Sequence, residues 1–208
     1  MNFLQSRFYG QLIQFSDFIF LSILWVICLL PIFTIVPATI SLFAVVRAWK
    51  SGTSEGIFSL YFSEFKHLFF KKVCMSLCLI VFTTVVIVDL KMIMPIENPT
   101  SSFLFLLLSV GFFLVISAFV HYFNLFVRSA DKHILVICKN TLILVVSQFH
   151  WTLLGVLVLC FVSLLVLFLP MLIFVIGSLT AYLLIQISDK AVKNMQVKQQ
   201  LIEKRELC

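Results

Sequence analysis

At 208 residues, with 62% hydrophobic and 12% charged side chains and a net charge of +6, this chain lies far from the soluble average of about half apolar and about a quarter charged. No soluble surface can be built from it, and the length suits one integral membrane domain over 1–208 with no separate globular unit. The positive balance does not point to nucleic acid, because the Lys and Arg residues gather in alternate loops, as membrane orientation requires.

The first apolar run extends from Phe18 to Val46, between Asp17 and Arg47. Pro31 and Pro37 interrupt it. Each lacks an amide hydrogen and crowds the carbonyl four residues back, so the helix is expected to break or kink at both. The carbonyls released in lipid, Ile27 and Phe33, need donors, and the Thr34 and Thr39 hydroxyls stand nearby. Pro31, Thr34, Pro37 and Thr39 therefore form a candidate helix break. Such breaks line binding sites in some transporters; the plainer expectation is a kink that accommodates a long span.

Gly52 and Gly56 flank a turn with no following Lys-Ser/Thr, so it is not a phosphate loop. From Ile57 to Lys72, Phe58, Tyr61, Phe62, Phe65, Leu68 and Phe69 recur at helical spacing opposite Ser59, Ser63, Glu64, Lys66 and Lys71. This pattern predicts a cytoplasmic amphipathic helix lying in the headgroup plane or docked on a partner.

The second span runs from Val73 toward Met94, with Asp89 and Lys91 reaching the outer headgroups. The third covers Phe103 to Val127 and ends at Arg128. It carries Ser117, His121, Asn124, Arg128 and Asp131 at steps of four and three, which places them on one helix face. Intramembrane His and Asn are costly against lipid, so this candidate polar face should look into the bundle, as a solute or proton pathway or as interhelical hydrogen-bond glue.

Residues 140–188 carry no formal charge and hold either one span with an additional buried or interfacial helix, or two spans, at 151–169 and 171–187, divided near Pro170. The basic residues arbitrate. Only Arg7 precedes Phe18 and only Lys91 lies within 89–102, whereas residues 47–72, 128–139 and the tail 188–208 are rich in Lys and Arg. Two crossings put every basic-rich segment on one side, the cytoplasm. The predicted fold is an all-α, five-span transmembrane bundle with a Pro-broken first helix, the N-terminus outside and the C-terminus cytoplasmic. The tail is expected to extend the fifth helix toward anionic lipid.

Cys28, Cys74, Cys78, Cys138, Cys160 and Cys208 form no disulfide framework, and Cys74 with Cys78 are too few ligands for zinc. His67, His121, His133 and His150 are scattered, and catalytic and nucleotide motifs are missing. Neither an enzyme nor a metal or other cofactor is expected. No cleavable signal peptide is evident.

Several segments carry a family resemblance. Leu24-Trp25, the run from Leu30 through Pro31, Thr34, Pro37, Ala38 and Thr39, Ala44 to Trp49, Ile57-Phe58, Phe65-Lys66 and Phe70-Lys71 are similar to the YesL-type family of bacterial membrane proteins. Val88 to Lys91, Lys139 to Thr141 and Ser178 to Tyr182 extend the similarity over nearly the whole chain, although Val36 stands where a glycine often precedes Pro37. The resemblance implies a Gram-positive plasma-membrane protein encoded beside sugar-uptake transporters and polysaccharide-degrading enzymes, with no established site to carry over. The function expected on that basis is a noncatalytic component of carbohydrate uptake, partnered by the bilayer and a sugar-uptake transporter complex. The alternative, from the broken helix and the polar face, is a solute transporter or channel in its own right.

Overall fold

The computed structural model describes residues 3–52, 56–93, 99–129 and 134–206, and every regular element among them is helical. Eight α-helices follow one another: α1 Phe3–Leu29, α2 Ile35–Ser51, α3 Ile57–Lys66, α4 Phe69–Ile93, α5 Pro99–Arg128, α6 Ile134–Ser147, α7 Phe149–Phe168 and α8 Ile173–Glu206. Among the described residues, five segments are helical, long and apolar enough to cross a membrane: Ile32–Ser51, Phe69–Ile93, Thr100–Arg128, Phe149–Phe168 and Pro170–Val197. The chain divides into two compact units, Met1–Val73 with Leu159–Leu183, and Cys74–Val158 with Leu184–Cys208.

In the first unit the expected single span over 18–46 is instead a helical hairpin. The Phe18 and Trp49 rings meet edge to face with centroids 5.0 Å apart, and Trp25 Nε1 donates to Thr39 Oγ1 at 3.4 Å. Residues so far apart in sequence can pair in this order only if α2 runs back along α1. The N-terminal end of α1 therefore lies on the same side of this unit as the end of α2.

The reversal occurs at one proline, not two. Leu29 ends α1, and a single 3₁₀ turn, Ile32–Thr34, follows Pro31. The Leu30 N–H donates to Ile27 O at 3.3 Å, and the Thr34 hydroxyl sits between the Cys28 and Pro31 carbonyls. Pro37 breaks nothing. It is the third residue of α2, where a backbone N–H has no partner within the helix anyway; no helical bond to Phe33 is lost. Thr39 turns its hydroxyl to Ile35 O at 2.7 Å.

α2 is the buried helix of this unit, with Val36, Ile40, Val45 and Val46 at 0% exposure. Gly52 ends it in the left-handed region at φ 76°, a conformation nearly free of strain only for glycine. The amphipathic segment is helical over Ile57–Lys66, shorter than the predicted 57–72, because the chain turns at His67 and Leu68 before α4. Tyr61 is completely buried and donates to Ala38 O at 3.3 Å, which ties α3 to α2. Burial, and secondly the Cys28 thiol, raises the Tyr61 phenol above its ordinary pKa, so it remains a donor. Lys72, also buried, donates its ammonium to Glu64 O near the end of α3, where cations are favoured.

The start of α8 joins α1 through two serines. Ser178 N–H donates to Ser22 Oγ at 3.0 Å, Ser22 Oγ donates to Ser178 Oγ at 2.8 Å, and Ser178 Oγ donates to Phe18 O at 2.7 Å. Phe18 also meets Tyr182 edge to face at 6.1 Å. Small residues let the two backbones approach, as membrane helices require.

In the second unit the expected third span is α5, four residues longer at its start and one at its end. The second is α4, which begins before Val73; Met94 lies outside the described residues. The uncharged stretch 140–188 follows the two-span alternative, with a short helix in addition. It contains two long apolar helices separated at Leu169 to Leu172, and part of a shorter apolar helix, α6. α6 is set apart from α7 by a turn at Gln148. Its Leu144 is buried beside Ala191 and Val192, against Leu125, Trp151 and Met195.

Candidate functional site

The period of the third span is carried through into geometry. Ser117, His121 and Asn124 project from one face of α5, and each is 2% exposed or less. Their partners come from the start of α7 and the middle of α8. His121 Nδ1 lies 3.0 Å from Ser188 Oγ, and its Nε2 lies 3.4 Å from Thr152 Oγ1. Ser117 Oγ donates to Thr152 O at 3.1 Å, and Asn124 Nδ2 donates to Asp189 Oδ1 at 3.3 Å. At Gly155, one turn beyond Thr152, a Cβ would make an ordinary 3.5 Å contact with the Ser117 hydroxyl.

Both imidazole nitrogens thus face hydroxyls. One arrangement uses every proton: Ser188 donates to Nδ1, Nε2–H donates to Thr152, and Thr152 donates to Gln148 O, 3.3 Å away. A neutral histidine then joins three helices with no bond left over. The Gln148 Nε2 amide is buried with no hydrogen-bond partner among the described residues, as is Trp151 Nε1; Lys190 Nζ stands 5.6 Å from the Trp151 ring centroid.

Arg128 is exposed and does not join the cluster, and Asp131 lies outside the described residues. Pro31, Thr34, Pro37 and Thr39 belong to the first unit, where Thr34 and Pro37 are buried, Thr39 is half-buried and Pro31 is exposed. Gln148, Thr152, Ser188 and Asp189 were missed in the sequence. Ser188 and Asp189 end the uncharged run, which marks them as a boundary; Gln148 and Thr152 are ordinary polar residues near the edge of a span. Only the packing of α7 and α8 on α5 singles them out.

Residues 18–90 match the family described as "Protein of unknown function, DUF624". Two Bacillus subtilis (strain 168) proteins are similar over longer stretches. Uncharacterized protein YesL is 27% identical over 189 residues, 87% of this chain and 87% of its own length. Uncharacterized protein YteU is 28% identical over 152 residues, 69% of this chain and 68% of its own. The YesL-type resemblance is shown. The residues 18–90 matched by that family contain the α1–α2 hairpin, α3 and most of α4, so the family match lies outside the polar cluster, whereas the similarity to YesL covers 87% of the chain. No solved structure matches the chain.

Proposed function

We propose that this YesL-type protein is a noncatalytic, multi-pass component of a bacterial plasma membrane that supports carbohydrate uptake beside a sugar-transport complex. The observation that carries the noncatalytic part is the closed polar cluster. His121, Thr152, Ser188, Asn124 and Asp189 satisfy one another across three helices, which suits interhelical ties more than a reaction centre. The uptake part rests on the family resemblance, an analogy at the level of the fold. Open apolar faces agree with a partner in the membrane: 6% of the most apolar stretch of α5 is buried within the chain, against 61% in α2.

We read the basic-rich segments as cytoplasmic; the contact of Phe18 with Trp49 then supports a cytoplasmic N-terminus, as an alternative to the outside N-terminus of the five-span expectation. Capture from native membranes followed by flux assays tests the function. An accessory component copurifies with a sugar transporter and carries no flux alone in liposomes. A second reading, a solute carrier, is favoured by the unpartnered Gln148 amide beside the His121 cluster; flux without a partner would establish it and remove the first.

A further inference from the structure

A pocket of about 270 Å³ opens between α4, α5 and α6 of the second unit, away from the His121 cluster's hydrogen bonds. Its wall includes Met75, Val115, Ala118, Tyr122, Cys138 and Thr141. Polar atoms are turned out of it: the Thr141 hydroxyl donates to Ile137 O at 2.8 Å, and the Tyr122 hydroxyl is buried without a partner among the described residues. What remains is a hydrocarbon surface.

Its depth identifies the occupant. Arg128 ends the α5 span, six residues beyond Tyr122 and thirteen beyond Val115. At about 1.5 Å per residue the pocket lies about 9 to 20 Å along the helix from that guanidinium, which in a core about 30 Å thick reaches from the inner half of one leaflet to just past the midplane, the depth of the lower part of an acyl chain. Lys139, exposed, follows Cys138 directly on α6. An apolar slot at acyl-chain depth with two exposed cations toward one end complements an anionic phospholipid.

We propose that this pocket binds one acyl chain of an anionic phospholipid of the cytoplasmic leaflet, with Arg128 and Lys139 receiving its phosphate. The test uses the full chain in detergent with a phosphatidylglycerol analogue bearing a photoreactive group on its acyl chain. Adducts should map to Val115, Ala118 or Cys138, and unlabelled phosphatidylglycerol should compete several-fold better than phosphatidylcholine of the same chains. Ala118→Phe should remove these adducts, and Arg128→Gln with Lys139→Gln should erase the headgroup preference while adducts persist. If Ala118→Phe lowers the folded yield, competition on the unaltered chain still decides. Adducts spread evenly over α4, α5 and α7, or equal competition by both lipids, overturn the proposal.

Discussion

A methyl group at Gly177 would lie 2.8 Å from Trp25 Cε3 and 3.0 Å from Cζ3. Gly177→Ala should therefore force α8 or the indole to move and lower stability by about 1 to 3 kcal/mol, the usual range for overpacking. Gly155→Ala meets only an ordinary 3.5 Å contact with Ser117 Oγ and should cost less; thermal unfolding in detergent compares the two. At the polar cluster, a double-mutant cycle of His121→Ala and Ser188→Ala should give a coupling of about 0.6 kcal/mol and no more than about 2. If uptake support falls only with folded yield, the cluster is a tie. Activity lost at normal yield would make it part of a solute path. Spacing on α5 made Ser117, His121 and Asn124 legible as one face, because a helix repeats its face every three or four residues. Their partners were not legible, because residues on other helices meet them only through packing.

Helix by helix, the first apolar run shows where local rules stop. Pro31 and Pro37 look alike in sequence, yet one ends α1 and the other sits harmlessly in the first turn of α2. Pro37→Ala should change stability by less than about 0.5 kcal/mol, since the position donates no helical bond to begin with. Pro31→Ala should leave the hairpin in place, held by the Phe18–Trp49 contact and by Thr34 at the Cys28 and Pro31 carbonyls. A disulfide engineered across the Phe18 and Trp49 positions reports whether the variant still folds back. The hairpin puts the N-terminal end of α1 on the side of its unit where α2 ends. A tag placed ahead of Met1 should resist external protease in intact cells and be cut after permeabilisation, whereas external cleavage would restore the single crossing. Amphipathic spacing located α3 but not its docking, since a face of Phe and Tyr suits lipid headgroups and the flank of α2 equally well. Burial of Tyr61 on Ala38 shows that part of that face serves the chain's own core.

Across the whole molecule, topology is tested most sharply at the turn between α7 and α8. In a chain with its six cysteines replaced, Leu169→Cys should react with an impermeant maleimide from outside, and Gly52→Cys and Val197→Cys only after permeabilisation. External labelling of Val197→Cys would mean that residues 149–188 cross once. The sequence by itself determined the solvent, the helical class, the long apolar segments and the place of Pro170, because these follow from composition, run length and charge alternation, which need no knowledge of what packs where. Tertiary structure alone decided that the first run folds back as α1 and α2 and that 134–147 is a separate short helix. It also decided that α7 and α8 complete the polar face of α5. Apolar residues are equally at home against lipid or another helix, so hydrophobicity cannot tell a spanning face from a buried one, and only side-chain contacts between distant segments break that degeneracy.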